Sequence, residues 1–179
     1  MPWWSGWPGL WAEALPMPPI CLHLTLARDA FPHLKDRLGD TRGYYLFGAT
    51  LPDIHLIADS ARRHTHYVEL GVEEGGQEID RFFRANPHLV RTVKHQPTRS
   101  LVAGYLSHLI MDAVWITRIY TPYFGPQSSL AADPFANLLD RLLQYEIDRR
   151  EREDLAGMAT LVRDIGLVSW DEEAALFDE

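Results

Sequence analysis

Apolar residues recur at Leu22, Leu26, Ala30 and Leu34, with Phe31 beside them, and this helical spacing predicts a helix over Ile20–Leu38 that Gly39 stops. His23 falls in its first turn, and Pro32 predicts a kink or a split into two pieces. Next comes YYLFGATLPDIHLI at 44–57, which Gly48 and Pro52 break into a short helix, a turn, and then Asp53 on a loop or helix start. RRHTHY at 62–67 reads as extended or looped, and GVEEGG at 71–76 as a loop, with a helix over 77–85 that ends before Pro87. Residues 98–120 form the most apolar segment. They approach the roughly 20 residues needed to span a bilayer, yet they carry Arg99, His108, Asp112 and Arg118, so a buried central helix is the better expectation. Asp133-Pro134 predicts a helix start, with Asp as N-cap and Pro at the first position. Leu138, Leu139, Leu142 and Leu143 carry that helix on to the arginines Arg149, Arg150 and Arg152, and further helices are expected over 153–165 and 171–178. No alternating strand pattern occurs, so the fold class is all-α: a single multi-helix domain over 20–179 preceded by an irregular arm over 1–19.

Composition narrows the functional classes. A formal net charge of −8 argues against a nonspecific nucleic-acid binder, which needs a basic face to displace phosphate counterions. It leaves room for a small phosphorylated substrate, because bound metal would supply local positive charge. The single cysteine, Cys21, rules out an internal disulfide and a thiolate zinc cluster, so the eight histidines are the natural metal ligands. The opening MPWWSGWPGLWAEALPMPP has no Lys or Arg and is broken by prolines, unlike a secretory signal. It reads as a disordered or surface-draped arm, as an arm that packs on a partner or on its own domain, or as residues upstream of a natural start at Met17. A cytoplasmic location is the default expectation.

The sharpest local signal is His108-x-x-x-Asp112 on the apolar segment. Four residues apart on a helix means one face and converging side chains, and an imidazole and a carboxylate converging in an apolar setting can share a cation. Taken alone, such a pair reads rather as a buried His–Asp hydrogen bond. Asp53, in GATLPDI, reads alone as a helix cap. His66 and His64, in RHTHY, read alone as surface residues, and His23, in LHLTLA, as a satisfied core histidine.

Together the series is an N-terminal helical His, then Gly-Ala-x-x-Pro-Asp-Ile, then Thr-His-aromatic, then GYLSHLIMDAVW at 104–115. This order resembles the zinc-dependent phospholipase C family, related in fold to the single-strand-specific zinc nucleases, and more narrowly its short bacterial members. The resemblance covers about residues 20–120. It implies an all-helical domain with zinc in a cleft. One zinc would take Asp53, His66, His108 and Asp112, with His66 favoured over His64 because it follows Thr65 and precedes an aromatic. A second zinc would take His23 and share Asp112. A water or hydroxide between the metals would attack phosphorus, with Asp53 as general base.

The sequence departs from the full family pattern. No histidine follows His108, so a third zinc site cannot be built the same way, and Glu146 and Asp148 read as solvated helix charges. His23 is preceded by 22 residues without an evident signal cleavage, so the family's N-terminal amine ligand is expected to be missing as well. The leading expectation is therefore a zinc-dependent phosphoester hydrolase, holding one or two ions and acting on a phospholipid headgroup or a small phosphodiester. The alternative is a non-catalytic zinc-stabilised helical domain that binds a partner. A third reading, core polar pairs without metal, is disfavoured by the cost of burying two carboxylates and three histidines without a cation. Tyr45, Tyr67 and Tyr105 are expected either in core packing or beside an open position next to Asp53.

Overall fold

The computed structural model describes residues 18–58, 61–67, 77–91 and 94–169, and all regular structure among them is helical. The N-terminal arm as far as residue 17, the loop at 71–76 and the expected helix at 171–178 lie outside the described residues.

Helix α1 spans Ile20–Leu38 and runs through Pro32 without splitting. Proline removes one backbone donor, but Ala27, Phe31 and Leu38 on either side of it are buried in one apolar cluster with Tyr45, Leu46, Ala49 and Leu161, and that packing holds the helix together. Gly39, at φ 67°, ends it in a conformation that glycine adopts without steric cost. Helix α2 spans Arg42–Gly48, and a 3₁₀ segment, Leu51–Leu56, follows with Pro52 and Asp53 in its first turn.

Residues 62–67 correct the sequence expectation. They are neither extended nor looped, because Arg63–His66 is a single helical turn, α3. The carbonyl of Arg62 accepts from the backbone N–H groups of Thr65 and His66 and from the Thr65 hydroxyl, and Tyr67 closes the turn at φ 59°. A turn this short is held by local hydrogen bonds, which hydrophobic periodicity does not report. Helix α4 spans Glu78–Ala85, and Pro87, expected only as a stop, instead opens another short helix, α5, over Pro87–Arg91.

The central rod is α6, Gln96–Trp115, continued by a π turn at Ile116–Tyr120 and by α7, Thr121–Tyr123. By length and mean hydropathy (1.3) this rod passes the test for a membrane-crossing helix, but α1, α2 and α4 all pack against it. One of its faces carries Val102, Tyr105 and Leu109 into a second apolar cluster with Phe82 and Leu89. Helix α8 begins at Ala136, two residues later than Pro134 suggests. Asp133 accepts from the Phe135 N–H at 2.8 Å and so caps the turn before the helix. It runs to Glu153, and α9 spans Leu155–Gly166, capped by Asp154.

Two glycines set the position of the site. A Cβ on Gly48 would overlap the Leu101 carbonyl, and a Cβ on Gly104 would overlap the Tyr45 carbonyl. The backbones of α2 and α6 therefore touch where both sequences supply glycine, and the end of α2 lies against the middle of α6.

Candidate metal centre

The five sequence-predicted donors reach the same point from four elements. His23 comes from the first turn of α1, Asp53 from the 3₁₀ segment, His66 from the end of α3, and His108 and Asp112 from adjacent turns of α6. Their side chains are almost entirely inaccessible: His23 and His66 are 1% exposed, His108 is fully buried, Asp112 is 8% exposed and Asp53 14%. His64, by contrast, is exposed, so burial separates it from His66.

Local hydrogen bonds determine which nitrogen of two rings is free. His108 Nδ1 lies 2.8 Å from the Ala49 carbonyl, which can only accept, so Nδ1 carries the proton and Nε2 a lone pair. His66 Nδ1 lies 3.0 Å from the Thr65 hydroxyl, whose own proton is directed to the Arg62 carbonyl at 3.1 Å. His66 therefore also donates from Nδ1 and keeps Nε2 bare. Both rings stay neutral, because burial pulls the pKa of His108 down to about 4 and that of His66 to about 3. His23, stacked on His108 with centroids 3.6 Å apart, is lowered to about 4 by the same desolvation.

The two bare nitrogens are 3.2 Å apart. Asp112 Oδ2 lies 3.4 Å from His66 Nε2 and 3.6 Å from His108 Nε2, and Asp53 Oδ1 lies 3.5 and 3.7 Å from the same two atoms. Tetrahedral zinc with bonds of about 2.0–2.1 Å places its ligand atoms roughly 3.3–3.4 Å apart. The separations of 3.2–3.7 Å lie near that edge length for five of the six donor pairs, and lone pairs facing carboxylates make a cation the natural centre. Two overlapping donor groups have all their donor atoms within 4.8 Å of one another, Asp53–His66–His108 and His23–His108–Asp112. His23 Nε2 faces Asp112 Oδ1 at 3.3 Å, and neither atom makes a hydrogen bond. Burial pushes the Asp112 carboxyl above its ordinary pKa, opposed by His108 and by Arg62.

Sequence reasoning missed Arg62. Its Nη2 lies 2.6 Å from Asp112 Oδ2, its side chain is 11% exposed, and Nη1 is buried without a hydrogen bond. The only available signal was an arginine four residues ahead of His66. His55 also approaches, edge-on to the His66 ring at 5.2 Å, while its Nδ1 pairs with the Pro52 carbonyl. Tyr45 and Tyr105 pack in the two apolar clusters, and the Tyr105 hydroxyl donates to the Thr65 carbonyl, bracing the turn that carries His66. Glu146 is paired with Arg149 and Arg150, and Asp148 with Arg152, all on α8.

Among known proteins, residues 22–115 match the family model described as zinc dependent phospholipase C. No curated protein and no solved structure matches the chain.

Proposed function

This chain belongs to the zinc-dependent phospholipase C family, and we propose that it is a zinc-dependent phosphoester hydrolase whose ion is held by Asp53, His66, His108 and Asp112. The observation that carries this reading is the pair of unprotonated Nε2 atoms 3.2 Å apart between two carboxylates, an arrangement that is electrostatically satisfied by a divalent ion. Bound zinc supplies Lewis acidity and lowers the pKa of water from 15.7 towards about 7. The protein's own part is to exclude bulk solvent, to hold the donors through Ala49 and Thr65, and to present Asp53. Asp53 is the most exposed of the five donors, which suits a carboxylate that ligates and also accepts a proton from the attacking water. The substrate class is a phospholipid headgroup or a small phosphodiester, and a cytoplasmic location is proposed with it.

The deep burial of the donors favours a second reading, a closed structural zinc that holds α1, α3 and α6 together. The two readings part on turnover. Zinc-loaded protein is assayed for phosphate-ester release from phosphatidylcholine vesicles and from a chromogenic phosphodiester, alongside Asp53→Asn. Hydrolysis that is abolished in Asp53→Asn and by chelator supports the enzyme. A zinc-dependent rise in Tm with no turnover of either substrate supports the structural domain.

A further inference from the structure

The resemblance leads to a second zinc between His23 and Asp112, but Arg62 lies against that carboxylate. Its Nη2 is 2.6 Å from Asp112 Oδ2, within charge-assisted hydrogen-bond range, and its guanidinium is largely buried. Its positive charge is also felt at Asp53, His23 and His66. The donors of the two overlapping groups compete as well. His108 has one free nitrogen, because its other nitrogen is committed to the Ala49 carbonyl, so it cannot serve a metal in each group at once.

The charges decide between one ion and two. Two carboxylates, three imidazoles that must be neutral to ligate a metal, and one guanidinium leave the donors and Arg62 with a single negative charge, and buried Glu78, which acts on Arg62, adds one more. One divalent ion brings this total to zero, whereas a second would leave two positive charges where the donors are at most 14% exposed. An excess of buried like charge at such separations is strongly unfavourable.

We propose that Arg62 stands in for the second metal: the chain is a one-zinc protein, and the guanidinium supplies the fixed cation that Asp112 would otherwise share with another ion. This rests on the proposed zinc site at Asp53, His66, His108 and Asp112. Arg62 is a positioning residue here, acting on the metal count through Asp112.

Metal stoichiometry tests the proposal without any assay of activity. Full-length wild type, Arg62→Gln, Arg62→Lys and His66→Ala are saturated with zinc, desalted and analysed for zinc per chain, with circular dichroism to verify helicity. The expected result is one zinc in wild type and Arg62→Lys, and two in Arg62→Gln, with the second equivalent bound at least tenfold more tightly than any second equivalent by wild type. Two zinc ions in wild type would overturn the proposal even if Arg62→Gln failed to fold, and so would a single zinc in a folded Arg62→Gln. No zinc in folded wild type would overturn the underlying site as well. A loss confined to His66→Ala leaves the underlying site standing, so the two failures are distinguishable.

Discussion

His108 donates its Nδ1 proton to the carbonyl of Ala49 at 2.8 Å, and that one bond between α6 and the end of α2 leaves Nε2 bare and facing Asp53, His66 and Asp112. A structural contact thus selects the tautomer the site uses, as outer-shell carbonyls commonly do for metal-binding imidazoles. The contact exists because Gly48 and Gly104 let the two helix backbones touch.

Gly104→Ala is therefore expected to act on both stability and the site. The added Cβ meets the Tyr45 backbone carbonyl, which cannot rotate away as a side chain can. Overpacking of this kind costs about 1–3 kcal/mol, and the upper end is expected. Urea unfolding should show the lowered midpoint, and zinc titration a weakened affinity as Ala49 moves off His108.

Replacing His108 and Asp112 together by Ala removes two of the four proposed ligands from one helix face. Elemental analysis should find zinc near zero in this variant and bound zinc in wild type. Zinc at a hundredfold excess over Kd should stabilise wild type by about 2.7 kcal/mol and the double variant not at all, as read by thermal melts with and without chelator.

Thr65→Ala removes the acceptor that orients His66 Nδ1. Loss of an outer-shell partner typically costs 10–100-fold in metal affinity, so zinc affinity is expected to fall by roughly that factor. Thr65→Ser keeps the hydroxyl and should stay within a few-fold of wild type in the same titration.

Asp53→Asn keeps the size of the side chain but loses the negative charge and the basicity. Hydrolysis of a phosphodiester by zinc-loaded protein is expected to fall by roughly 10²–10⁴, the usual contribution of a general base, with an unchanged helical circular-dichroism spectrum.

The metal-free protein should lose stability on mild acidification. His23, His66 and His108 titrate near 6.5 when unfolded but at about 4, about 3 and about 4 in the fold, because burial disfavours the charged form. Below pH 6.5 the unfolded chain therefore binds protons that the folded chain refuses, and stability falls with pH down to about 4, and to about 3 for His66. Above pH 6.5 these groups contribute no slope. Asp112, raised in the fold, works in the opposite direction, as one group against three. Chelated protein followed by urea unfolding between pH 7.5 and 4.5 should show this decline, and a flat profile would contradict the buried neutral histidines.

The sequence alone determined the helical class, the extent of α1, the presence of a central apolar helix and the shared face of His108 and Asp112, because these rest on helical spacing or apolar content within one segment. Motif order further singled out His23, Asp53 and His66 before any geometry was known. Local hydrogen bonding made the turn at Arg63–His66 and the start of α8 illegible, since neither a one-turn helix nor an Asx cap has a periodicity. The tertiary structure alone decided which nitrogens are bare, that the donors stand 3.2–3.7 Å apart, and that Arg62 lies on Asp112. Those facts depend on where α2 and α3 meet α6, fifty residues away in sequence for the Arg62–Asp112 pair. Close packing of Gly48 and Gly104 made that meeting possible, and burial of the resulting cluster made its charges matter.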